Sequence, residues 1–188
     1  MSKTAVLTTN AKPRLGIKAQ VFATLTAIAA AVAVPQIFHV LGAVSGLGTA
    51  LGETFLPMHL PIILVGLLAG PWAGAVAGLM GPLVSFALSG MPGVVMLPFM
   101  MVELCAYGLF AGLLRNVKIP TIAKVLAVQV AGRAVRATAV LLAVFAFSYE
   151  RVSVSTIWMS IRAGVFGLVL QLVLLPLIVY RMEERHGR

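Results

Sequence analysis

The chain is poor in charge, poorer still in acid, and holds a single cysteine. Charged residues fill 10% of its 188 positions, with only five aspartates and glutamates against 14 lysines and arginines. Soluble domains run at about 25% charged and about 45–50% apolar, whereas this chain is 61% hydrophobic. Too little polar material remains to cover a water-soluble fold, which excludes a soluble enzyme, a disordered chain and a secreted disulfide scaffold. Cys105 stands alone in an apolar run, so it closes no internal disulfide and starts no metal site; it reads as a small core hydrophobe. Catalytic signatures are missing too: there is no Walker A loop, no nucleophile elbow, no His-Glu-x-x-His and no carboxylate pair within an apolar run. The expectation is a chain that is not an enzyme, carries no cofactor and does not itself hydrolyse ATP by that route. The net charge of +9 comes without a basic stripe interleaved with aromatics, so nucleic acid is not the expected partner. Strand alternation of the barrel type is lacking as well.

What the chain does have is apolar runs of membrane length. A spanning helix needs about 20 apolar residues, and six runs fit, at residues 17–41, 55–70, 72–89, 94–114, 122–147 and 155–180. The expected fold is an all-α, six-helix membrane bundle, with a basic tail at 1–16, a membrane domain at 17–180 and a second tail at 181–188. A Gly-rich link, 42–54, joins the first two spans. Gly70-Pro71-Trp72, Ser89-Gly90-Met91-Pro92-Gly93 and a basic loop at 115–124 supply later turns. Lys3, Lys12, Arg14, Lys18, Arg115, Lys118, Lys124, Arg181, Arg185 and Arg188 fall on one side of this arrangement, and the loops of the other side hold only Arg151. The positive-inside rule then puts both termini in the cytoplasm. One long re-entrant hairpin over 55–89 would read similarly.

Two stripes of small residues stand out. Gly66, Gly70, Gly74 and Gly78 recur every fourth position and read as internal packing. Ala19, Ala23, Ala27 and Ala31 repeat the spacing on the first span, where the smooth face suits either a neighbouring helix or a partner subunit.

Four charges sit where charge is costly. Glu103 lies about 13 Å into the fourth span from its outer end, near the middle of a bilayer. Arg133 lies mid-way along the fifth span, and Arg136 shares its face three residues on. Arg162 lies about 10 Å into the sixth, where it can also snorkel to the interface. Glu103 can pair with one arginine, which leaves guanidinium in surplus. Arginine does not shed its proton, so the surplus calls for water, carbonyls or an anion, and its planar fork suits a carboxylate or phosphate. Pro57 and Pro61 deny helical hydrogen bonds at the outer start of the second span, where Met58 and His59 would face a cavity. His39 and Glu53 flank the same link. His39 and His59 lack a third ligand at useful spacing, so no metal site is expected.

The stretch Phe55-Leu-Pro-Met-His-Leu-Pro-Ile62, with Gly66-Leu-Leu-Ala-Gly-Pro71, Ser89-Gly-Met-Pro92 and Glu103-Leu-Cys-Ala-Tyr-Gly108, resembles the substrate-binding S components of energy-coupling factor (ECF) vitamin transporters. The resemblance covers about residues 17–115 by motif and the rest by span number and length. It implies six helices and capture of a vitamin or cofactor precursor from outside. It further implies docking on a transmembrane scaffold subunit that joins two cytoplasmic ATPases, in the plasma membrane of a prokaryote. It also implies that the alanines at 19, 23, 27 and 31 form the scaffold contact, and Tyr107 joins the candidate substrate-binding residues through the last motif. The surplus arginine favours a carboxylate-bearing substrate such as pantothenate. A modified nucleobase and pyridoxine-like or thiamine-precursor compounds stay open, while thiamine itself is disfavoured by the scarcity of Trp and Tyr.

Two competing readings have their own signatures. A self-sufficient channel or secondary carrier needs internal symmetry or a polar path through the membrane; neither is visible. An integral membrane enzyme would have to use Glu103 and His59 as its acid–base pair. If the alanine stripe is a partner surface, Ala27→Trp spares ligand binding and abolishes uptake; loss of both together marks it as internal packing.

Overall fold

The computed structural model describes residues 15–186. Seven helices follow in chain order: α1 (Ile17–Ser45), α2 (Ala50–Phe55), α3 (His59–Ala69), α4 (Pro71–Ser89), α5 (Leu97–Leu114), α6 (Thr121–Phe145) and α7 (Ser155–His186). No strand occurs among the described residues. With α2 and α3 taken as one broken span, six segments are long and apolar enough to cross a membrane. Lys3, Lys12, Arg14 and Arg188 lie outside the described residues.

The distribution of side chains is that of a protein dissolved in lipid. Large apolar groups cover the outside, among them Phe22, Val44, Trp158 and Phe166, while Glu103, Gln129 and Gln171 are buried. Backbone polar groups must be satisfied within the segment in hydrocarbon, which is why every crossing element is a helix.

The link at 42–54 is more ordered than its composition suggests. Helix α1 runs through Gly42 to Ser45, and residues 50–55 form α2. Gly42 is buried because the chain folds back on it: Gly48 donates its N–H to the Gly42 carbonyl at 3.0 Å. After α2 the chain breaks at Leu56, in the left-handed region at φ 49°, ahead of Pro57.

Helix α3 is only 11 residues long, about 16 Å, or half a hydrocarbon core. It is tolerated because it is wrapped by α1, α4, α5 and α7, so its irregular start meets protein instead of lipid. Glycine permits that wrapping. Gly66, Gly74 and Gly78 of the predicted stripe are buried against α5, with Gly66 and Gly74 facing Gly108 and Gly78 facing the Leu104 backbone. Close backbone approach of this kind is how helices associate in lipid.

The alanine stripe of α1 points inward. Ala31 is fully buried and Ala27 nearly so, both in the main core, with Ala23 packed against it; only Ala19 is exposed. Ala31 faces Gly81 of α4. Ala27 and Ala31 therefore pack inside the bundle, and Ala19 is the alanine of the stripe that the bundle leaves exposed. The fourfold spacing places all four alanines on one face, but only packing decides which way that face turns.

Two outcomes are expected from thermal unfolding in detergent. Gly108→Ala, whose Cβ would land on the Gly74 backbone, costs about 1–3 kcal/mol of stability. Ala31→Trp loses folded protein outright, so ligand binding and uptake fall together.

Candidate substrate-binding site

The candidate site is a cavity of about 470 Å³. It lies at the end of the bundle formed by the C-terminal part of α1, by α2 with the break after it, by the loop at 91–93 and by the N-terminal part of α7. The break positions the key groups. Because the helix restarts at His59, the buried side chains of Met58 and His59 are carried into the wall beside the bundle core. Breaking a helix also orphans carbonyls. That of Leu56 accepts a hydrogen bond from the His59 N–H at 3.1 Å and another from Nε2 of Gln171, on α7, at 3.3 Å. Gln129 of α6 continues the network, donating to the Gln171 side-chain oxygen at 3.3 Å and to the Leu168 carbonyl at 3.0 Å.

Glu103 is fully buried at the centre of a charged cluster. Arg136 donates from Nη1 to Glu103 Oε2 at 2.8 Å, and Nη1 of Arg133 lies 3.1 Å from Oε1. The Tyr107 hydroxyl donates to Oε1 at 3.3 Å, and Nε2 of His59 lies 3.9 Å from the same oxygen. The His59 and Tyr107 rings meet edge to face, 5.1 Å between centroids. Tyr107 fits because Gly132, next to Arg133 on α6, leaves room for its ring.

The donors outnumber the acceptors. All three guanidinium nitrogens of Arg133, Nε of Arg136 and both ring nitrogens of His59 are buried without a hydrogen-bond partner, although Nη1 of Arg133 is within ion-pair distance of Glu103. An unpaired buried donor costs about 1–3 kcal/mol, more for a charged group. This is a place that gains free energy when acceptor atoms arrive.

The candidates read from sequence divide in three. Arg133, Arg136, His59 and Met58 line the cavity, and His39 and Glu53 lie on its wall with them. Glu103 and Tyr107 belong to the cluster without lining the cavity; they are buried behind it. Arg162 stands apart, exposed and outside the lining. On α7 the lining comes from Thr156, Met159, Ser160 and Ala163, and at about 3.6 residues per turn Arg162 points roughly a quarter turn or more away from their face.

Sequence reasoning passed over a methionine wall. Met91, Met96, Met100 and Met159 join Met58 in the lining, while no Phe, Tyr or Trp does. A signal was there, since three of these methionines fall within ten residues of the loop and α5. Gln129 and Gln171 were also visible as polar residues inside apolar spans, a pattern that ordinarily marks an internal role.

Residues 17–179 match the family described as ECF transporter, substrate-specific component. The chain belongs to that family. It is the substrate-specific subunit of an ECF transporter, a multi-pass membrane transport protein. No curated protein and no solved structure matches this S component. Membership implies work with the scaffold and ATPases of an ECF module.

Removing one partner of a buried ion pair typically costs about 3–5 kcal/mol. Glu103→Ala is therefore expected to lower the unfolding midpoint of the S component sharply. Arg162→Ala, at an exposed position, should leave it nearly unchanged. Similar small shifts from both would show that the cluster is not what holds α5 to α6.

Proposed function

We propose that this S component captures a small carboxylate-bearing vitamin or cofactor precursor, of the pantothenate kind, from outside the cell. It passes the ligand inward with a transmembrane scaffold subunit and two cytoplasmic ATPases, and performs no catalysis itself. The observation that carries the reading is the set of buried, partnerless donors on Arg133 beside a cavity of about 470 Å³. That volume lies within the about 300–1,000 Å³ common for small-molecule sites. A carboxylate would meet the planar guanidinium fork with two parallel hydrogen bonds.

Charge sets the orientation. Lys18, Arg115, Lys118, Lys124 and Arg181 sit at the end of the bundle that carries the termini, and Arg151 sits at the other. The positive-inside rule assigns the first end to the cytoplasm, and the cavity then faces outward, in the plasma membrane of a prokaryote. The lack of aromatic residues in the lining argues against a cationic ligand, which aromatic faces would hold.

Mass spectrometry of the small molecule that co-purifies with the S component is expected to give a carboxylic acid. Binding of that molecule, followed by calorimetry, should weaken about 10- to 100-fold in Arg133→Ala, the loss of charged hydrogen bonds at about 1.5–3 kcal/mol. Uptake into liposomes should need the scaffold and both ATPases. A neutral co-purifying molecule defeats the carboxylate reading, and full uptake by the S component alone defeats the partner requirement.

A further inference from the structure

Resting on the anionic reading above, the geometry points to Glu103 as the residue that sets the charge of the ligand. By occupying one end of each arginine it leaves room for a single negative head group. The site then takes a mono-anion with a short, soft apolar body and discriminates against neutral and doubly charged relatives.

Glu103 engages Nη1 of Arg136 through one oxygen and Nη1 of Arg133 through the other, at 2.8 and 3.1 Å. Its carboxylate is held in place by the Tyr107 hydroxyl. On Arg133 this leaves Nε and Nη2, both buried and without a hydrogen-bond partner. These two nitrogens form one side of the planar guanidinium, and that side fits one carboxylate bidentately. Gly164 of α7 keeps the space beside Nη2 open, since a Cβ there would come within 3.0 Å of it. On Arg136, Nη1 is engaged by Glu103 and Nε is buried without a hydrogen-bond partner.

Charge counting agrees with donor counting. The cluster holds two guanidiniums and one carboxylate, so one guanidinium charge is uncompensated by the acid. Glu53 on the cavity wall is exposed and engaged by Thr49 at 3.2 Å; solvent screens it from the cluster. A neutral head group would leave the surplus charge unanswered. A doubly charged one would set its second charge against Glu103 in a region of low dielectric.

The body of the ligand follows from the rest of the lining. Five methionines, Met58, Met91, Met96, Met100 and Met159, supply the large apolar side chains together with Leu56. Thioether chains are unbranched, polarizable and able to re-pack around an irregular shape. The head group is thus specified by a rigid charged cluster and the body by an adaptable wall.

The test uses three probes with one body and three head charges: hexanamide, hexanoate and hexyl phosphate. Their binding to the purified full chain in nanodiscs is measured at pH 8 by thermal shift and by competition among the three. For the unmodified chain, hexanoate should bind at least about tenfold better than either relative, a difference of about 1.4 kcal/mol. In Glu103→Gln, hexyl phosphate should overtake hexanoate. Should that variant fail to fold, Arg136→Gln carries the test in the opposite direction: hexanamide should then match or overtake hexanoate. An unchanged order in a folded variant overturns the assignment, as does the absence of hexanoate binding or preference in the unmodified chain. Such a failure, with uptake by the complete ECF complex intact, leaves the transport reading standing; loss of uptake in the unmodified complex is what would end that reading instead.

Discussion

A carboxylate sunk between two guanidiniums is the constraint around which this molecule is arranged. Charge is costly in hydrocarbon, and a buried pair survives only when geometry and further hydrogen bonds answer the desolvation. Glu103 meets that condition with two arginines of α6, a tyrosine one turn along its own helix and a histidine from the start of α3. The cluster therefore ties α5 to α6 and to the broken span at a single point. It is also unbalanced, because the acid can answer only one of the two cations. A fold that needed no ligand could have used one arginine, or none.

The broken second span makes that cluster usable. A continuous helix through Leu56 would have left no backbone irregularity for the cavity to form around, and His59 would have been one more residue on a helix face. Proline at 57 prevents it. The cost is met locally: Gln171 answers the Leu56 carbonyl, and close glycine contacts among α3, α4 and α5 bury the shortened helix. Stability and site thus share residues, since the same helices that enclose α3 supply Glu103, Tyr107 and the methionines of the cavity.

Much of this is legible in the amino-acid sequence itself. The six spans, the turns at Gly70-Pro71 and Gly90, and the buried charges at 103, 133 and 136 follow from hydropathy and from the cost of charge in lipid, which act on local sequence. Less legible was anything that depended on direction around a helix. Ala27 and Ala31 read equally well as an outward or an inward face, because small residues suit close approach to any helix, whether of the same chain or another. Arg162 was counted with the other arginines by depth, whereas its azimuth on α7 turns it away from the cavity. The methionines escaped notice because a thioether in an apolar span is unremarkable until several converge.

Composition and periodicity by themselves determined that the chain dissolves in lipid, how many times it crosses, and that its arginines outnumber the acids able to answer them. These are sums over local sequence, and no folding is needed to evaluate them. Only the tertiary structure decided which arginine nitrogens Glu103 occupies and which it leaves over, that five methionines from separate segments line one cavity, and which way the first helix faces. Each of those depends on the rotation of one helix against another, and rotation is fixed by side-chain packing between segments far apart in the chain.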